Sequence, residues 1–249
     1  MAAELEVFKG LEELSRRAAE EFCRGAEEAA ARGTFSVVLS GGSTPRRLYA
    51  LLASKSEPFR GRVPWEKTHF FWSDEREVPP GDPRSNYRLA REALLAKVGV
   101  PRQNVHRILS EHPSVLKAAQ DYEEELRGFF RLEEGQFPRF DLILLGMGAE
   151  GHTASLFPGG EALSETRRLA AACWVPRLKA HRVTLTPPAI NGAACVVFLV
   201  SGADKAAALK AVLEGERRPD ELPAQAVRPL NGKLLWLVDA AAARLLERR

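Results

Sequence analysis

Two spacings of apolar residues alternate along this chain. Short, nearly continuous apolar runs are bounded by glycine or polar residues, and are followed by stretches in which apolar side chains recur every three or four positions. The first spacing predicts strands buried on both faces, the second amphipathic helices. Strands are expected at residues 35–39, 68–72, 141–145, 182–186, 194–200 and 234–238, with a short one at 105–108. A first helix is expected from about Leu5 to Ala31, with Phe8, Leu11, Leu14, Ala18, Phe22 and Ala26 on one face. Further helices are expected after Pro45, at 87–98, 115–130 and 203–213, and in an alanine-rich closing segment to Leu246. Strand, polar turn and helix in repeated order predict an α/β fold. Its sheet is mostly parallel and covered by helices on both faces. No Pro/Gly/Ser linker and no internal repeat divides residues 1–249, so one domain is expected.

Composition narrows the classes of partner. The 249 residues hold 36 Lys and Arg against 33 Asp and Glu, a net charge of +3, and the arginines are dispersed. That balance does not predict nucleic-acid binding. An anionic small molecule needs only a few local cations. No apolar run approaches the roughly 18 residues of a membrane span. The N-terminus lacks a basic stretch followed by an apolar one, so no secretory signal is expected. The three cysteines, Cys23, Cys173 and Cys195, fit no metal or disulfide spacing. They suggest small buried hydrophobes in a reducing cytoplasm. No metal is expected, and a monomer or weak homodimer is.

The candidate chemistry collects just after predicted strands. Ser40-Gly41-Gly42-Ser43-Thr44-Pro45 follows the strand at 35–39 and precedes a helix. Gly41 and Gly42 expose backbone N–H groups, Ser43 and Thr44 add hydroxyls, and Pro45 suits a first helical turn, a combination that favours an anion. The loop lacks the Lys ending of a Walker motif and the dinucleotide fingerprint. Lys205 follows Ser201-Gly202 at a helix start, where the dipole disfavours a cation unless an anion faces it. Asp74-Glu75-Arg76 follows the strand at 68–72, and Arg76 has the planar fork to bind a carboxylate or steady an oxyanion. Gly146-Met-Gly148-Ala-Glu150-Gly151-His152 follows the strand at 141–145. His152 there suits a general base, and Glu150 either orients its ring or faces water. Asp74 and Glu150 are the alternative bases. His69, His106, His112 and His181 have no supporting motif and are expected to be structural or on the surface. In open α/β sheets ligands bind outside the carboxyl ends of strands, so these segments are expected to converge.

Taken together, the blocks SGGSTP (40–45), WSDEREVP (72–79), SN (85–86), LGMGAEGHTASLFPG (145–159), RVTLTPPAIN (182–191), VSGADKAAALKAVLEG (200–215) and LPA (222–224), with Trp236 and Asp239, resemble the 6-phosphogluconolactonases. These belong to the glucosamine-6-phosphate isomerase/6-phosphogluconolactonase family. The blocks run in family order from near residue 35 to residue 245. The resemblance implies a Rossmann-like fold without metal or organic cofactor. It implies hydrolysis of 6-phosphoglucono-δ-lactone to 6-phosphogluconate, a step of the oxidative pentose phosphate pathway. It also implies His152 as the base, Arg76 near the reacting end, and Ser43, Thr44, Arg182 and Lys205 around the phosphate. The chain departs from the family pattern at Glu150, where members usually carry Asp. The added methylene moves the carboxylate by about a bond length.

Two rival readings differ by chemistry. An amino-sugar-phosphate deaminase carries an Asn-Glu-Pro element after the Gly-His pair, whereas Thr153-Ala-Ser-Leu-Phe-Pro158 stands here. A sugar-phosphate-binding regulatory domain would bind without turnover, and normally carries a DNA-binding helix-turn-helix in front. The segment before Phe35 is too short for one.

Overall fold

The structure, a computed structural model, describes residues 3–247. The first two residues, with which the reading of the N-terminus begins, lie outside the described residues. Among the described residues nine strands are formed: β1 (Glu4–Phe8), β2 (Phe35–Leu39), β3 (Thr68–Trp72), β4 (Asp74–Arg76), β5 (Leu142–Gly146), β6 (Ala170–Val175), β7 (Ala180–Leu185), β8 (Cys195–Val200) and β9 (Lys233–Asp239). The α-helices are α1 (Leu11–Ala30), α2 (Ser43–Ala53), α3 (Phe59–Arg62), α4 (Asn86–Ala90), α5 (Ala96–Val98), α6 (Val115–Phe130), α7 (Pro187–Asn191) and α8 (Ala206–Glu214). A π-helical turn, Arg91–Leu95, joins α4 to α5.

Six strands make one sheet in the order β1-β9-β8-β5-β2-β3, every pair parallel. β2 and β8 are buried at every position, as a sheet covered on both faces requires. Phe198 and Trp236 are register partners on β8 and β9, and their rings stack at 3.9 Å. From β2 the chain builds outward to β3, then returns to place β5 on the other side of β2. The strand order therefore reverses between β2 and β5, the position at which open α/β sheets bind ligands.

Two buried tyrosines fix the strand ends near this point. The Tyr49 hydroxyl donates to the Ser40 carbonyl and accepts from the Ser40 amide, at 2.8 and 3.0 Å. Tyr122 does the same for Trp72, with both bonds at 2.9 Å. Burial pushes both phenols well above their ordinary pKa, so they remain neutral.

Several expectations need correction. The first helix begins at Leu11. Residues 4–8 instead form β1, because Leu5 and Phe8 find their burial through pairing with β9. Gly10, in extended backbone, separates the two elements. Residues 105–108 contribute only an isolated bridge, Val105 to Phe70. The closing segment is a short 3-10 turn, Ala242–Leu245, and no longer helix. Asp74–Arg76 is a strand in its own right, and β7 does not join the main sheet. These two and the unanticipated β6 form a separate antiparallel sheet, β4-β7-β6. The three cysteines are buried, and burial pushes the thiols of Cys23, Cys173 and Cys195 up to about 12, 11 and 12.

Candidate active site

The C-terminal ends of β2, β5 and β8, together with β4, surround a cavity of about 250 Å³. The predicted residues Gly41, Gly42, Ser43, Thr44, Asp74, Arg76, His152 and Lys205 all line it. A larger cavity of about 810 Å³, beside Tyr87, Arg91 and His106, contains none of the predicted site residues.

One wall is built for an anion. α2 starts at Ser43 behind Gly42, whose φ of 110° is open to glycine, and no side chain caps its first amides. A Cβ on Gly41 would lie 1.8 Å from Oδ1 of Asn86, so only glycine lets the loop pass this side chain. Across the cavity, Asp239 holds the loop after β8. It accepts from the Ser201 hydroxyl at 2.5 Å, from the Gly202 amide and from the Ala242 amide at 2.8 Å. The loop delivers Lys205, on a 3-10 turn just before α8, with its Nζ resting 2.9 Å from the Asp204 carboxylate.

His152 stands opposite. The loop after β5 is tight: the Gly148 amide donates to the His152 carbonyl at 2.8 Å, and Gly151 has φ 80°. A Cβ on Gly148 would meet His152 Nδ1 at 2.0 Å. Nδ1 lies 3.0 Å from Oε2 of Glu150. It is off the line of an aligned hydrogen bond, so the contact becomes an ion pair only when the ring is protonated. Nε2 makes no hydrogen bond to any described residue. The imidazole stacks on Phe157 at 4.4 Å. Burial lowers its pKa below the ordinary value, while the Glu150 and Asp74 carboxylates act in the opposite direction. The ring is thus held neutral near pH 7, the form in which it accepts a proton. Glu150 is itself behind the histidine and does not line the cavity.

Asp74 is engaged on both oxygens. Ser155 Oγ donates to Oδ2 at 2.7 Å, and Asn86 Nδ2 and Ser73 Oγ donate to Oδ1 at 3.1 and 3.3 Å. It is a fixed negative charge near His152. Arg76 reaches the cavity with its guanidinium donating to the Arg84 carbonyl. Arg182, its register partner on β7, does not line the cavity and donates to the His181 carbonyl at 2.8 Å.

Glu75 was read only as part of a charged run, and is 2% exposed. Its carboxylate accepts from the amides of Arg76, Asn86 and Tyr87, each at 2.8 Å, and from Ser85 Oγ at 2.9 Å. It joins β4 to the start of α4. Burial pushes its pKa up, against these donors. Glu75→Ala is expected to destabilise the fold by about 2 kcal/mol, because buried amides lose their acceptor. Urea denaturation checks this, and an unchanged midpoint would remove the tethering role. Of the unsupported histidines, His69 and His106 contact each other at 2.9 Å beside Phe71 and Phe129, and His181 contacts Glu77 at 3.1 Å.

Fold and site together define an α/β protein with a small cavity at the switch point of a parallel sheet, lined by a glycine loop, cationic side chains and a histidine. Residues 9–236 match the family described as glucosamine-6-phosphate isomerases/6-phosphogluconolactonase, and the chain belongs to that family. A relative from Synechocystis sp. named 6-phosphogluconolactonase is 45% identical over 217 residues, 87% of each chain. The structure of 6-phosphogluconolactonase from Trypanosoma brucei superposes with a TM-score of 0.85 at 29% identity, covering 98% of this chain and 99% of that one. A monomeric glucosamine-6-phosphate deaminase, 21% identical with a TM-score of 0.80 over 97% and 99% of the two chains, shares the fold.

Proposed function

We propose that this chain hydrolyses 6-phosphoglucono-δ-lactone to 6-phosphogluconate, with His152 as general base. The observation that carries the reading is the pairing, in one cavity, of an uncapped helix start and Lys205 with a histidine that is neutral and has Nε2 free. The likeness to chains named 6-phosphogluconolactonase supports the same substrate.

The substrate's phosphate is held by the first amides of α2, by the Ser43 and Thr44 hydroxyls and by Lys205, which leaves Asp204 for it. This grip at a remote group orients the lactone carbonyl toward His152. Nε2 takes a proton from water as the water oxygen bonds to the carbonyl carbon. The bond from that carbon to the ring oxygen then breaks, and the imidazolium returns the proton to the departing oxygen, which becomes a hydroxyl. Glu150 and Asp74 stabilise the imidazolium while it exists. Arg76 faces the charge that develops on the carbonyl oxygen. Arg182, one strand further from the cavity, adds positive potential without contact.

Freshly generated 6-phosphoglucono-δ-lactone, corrected for spontaneous opening, is the test substrate. Turnover above background is expected. No turnover, with 6-phosphogluconate still bound, would replace the enzyme by a binding module, and ammonia release from glucosamine 6-phosphate would favour a deaminase. Lys205→Ala is expected to raise KM roughly 10- to 100-fold, the worth of one charge-assisted hydrogen bond, with a smaller change in kcat. Steady-state kinetics separate the two, and an unchanged KM would remove Lys205 from the phosphate site.

A further inference from the structure

Arg177 lies on the 3-10 turn Pro176–Leu178 that links β6 to β7, at the tip of the small antiparallel sheet. Nothing in the local sequence marks it as functional, and it does not line the cavity. Its guanidinium nevertheless meets the Glu150 carboxylate at Oε1, the oxygen turned away from His152. The same guanidinium lies 5.1 Å from the Phe157 ring centroid. Phe157 in turn stacks on the His152 ring. Arg177 thus reaches His152 along two routes, one through a carboxylate and one through an aromatic ring.

We propose that Arg177 is a positioning residue for His152: it holds Glu150 and Phe157 in place around the imidazole and offsets the Glu150 charge, keeping the base neutral to lower pH. This rests on the reading of His152 as the base. Glu150 turns Oε2 toward His152 and Oε1 toward Arg177, so one carboxylate stands between the imidazole and the guanidinium. Without a partner, a full carboxylate charge beside the ring would favour the imidazolium, which cannot act as a base.

The turn is well placed to hold the arginine still. Pro176 fixes its first position and the Lys179 amide closes it on the Pro176 carbonyl at 3.1 Å. The hairpin is anchored from outside by His181, which contacts Glu77 and packs edge-on against Trp174. Other charges also face His152 or its cavity. Asp74 opposes Arg177 by favouring the imidazolium, whereas Arg76 and Lys205 are cations on the cavity wall. These remain when Arg177 is removed, so the effect of the substitution is read against a constant background.

The test is the pH dependence of Arg177→Gln, Glu150→Gln and the double variant. In Arg177→Gln the acid limb of kcat/KM is expected to move to higher pH, so that at pH 5 the variant retains roughly threefold less of its alkaline value than wild type does. Arg177→Lys should recover part of the shift, since it restores the charge without the planar fork. In Glu150→Gln the limb should move to lower pH, and adding Arg177→Gln to it should do much less than in the wild type. The titration of the His152 ring, followed by NMR in the free protein, should move in the same directions. That readout needs no turnover, so it judges Arg177 even if the lactone is not the substrate. Rates lowered equally at all pH values, with the His152 titration unmoved, would reduce Arg177 to a structural tie of the hairpin and overturn the proposal.

Discussion

His152→Ala is expected to leave a folded protein whose kcat on 6-phosphoglucono-δ-lactone is lower by about 10²- to 10⁴-fold, the range for loss of a positioned general base. KM should change little, because the groups proposed to grip the phosphate, the start of α2 and Lys205, are left in place by the substitution. The wild type should also lose kcat/KM as pH falls through the His152 pKa, since only neutral imidazole accepts the proton. Burial has lowered that pKa, so the limb should lie on the acid side of about 6.5. The same shift makes a stability prediction. The unfolded chain takes up this proton first, so wild type loses stability as pH falls through the unfolded value toward the lower folded one. His152→Ala is spared that loss. A variant with full activity, or a wild type with no acid limb, would transfer the base role to Asp74 or Glu150.

Gly148→Ala should come close to that loss without removing any reacting group. The added Cβ would stand 2.0 Å from Nδ1 and 2.1 Å from Cε1 of His152, and 2.7 Å from Oε2 of Glu150. No pair of heavy atoms tolerates these distances, so the imidazole must swing away. Phe157 stacks on its face and the Gly148 amide bonds the His152 carbonyl, so the ring cannot move without losing its aim. A displacement of about 1 Å costs on the order of 10²-fold in rate. The expected result is a fall of that size in kcat with KM and thermal stability near wild type. A structure of the variant with the ring unmoved and activity intact would show that the loop has slack this geometry does not suggest.

The two halves of the site differed in how far they could be read in advance. The anion wall is local: Gly41, Gly42, Ser43 and Thr44 are neighbours, and a glycine turn ahead of a helix announces exposed amides wherever it occurs. Gly148 and His152 are likewise within one loop. Asp74 was identified, but its three donors come from Ser73, Asn86 and Ser155, and their convergence has no signature in sequence. Glu75 looked like one more charge in a polar run. Its burial follows from α4 turning back over β4, which brings the amides of Asn86 and Tyr87 onto one carboxylate.

Secondary structure divided along the same line. Strands such as β2 and β8 are apolar throughout and need no partner to be recognised. β1 was missed because Leu5 and Phe8, three positions apart, also fit the helical spacing that follows, and β4 because Asp74–Arg76 is too polar to look like a strand; pairing to β9 and β7 makes them strands. β6 has small apolar residues, Ala170 to Ala172, that suit either spacing.

The sequence by itself determined the parallel α/β plan, the glycine loops and the histidine, because burial period and backbone freedom are properties of neighbouring residues. Only the tertiary structure decided that Asp74 is fully engaged, that Glu75 tethers α4, and that Arg177 meets Glu150. Those depend on which elements lie against each other, and the spacing of apolar residues tells that a face is buried without telling what covers it.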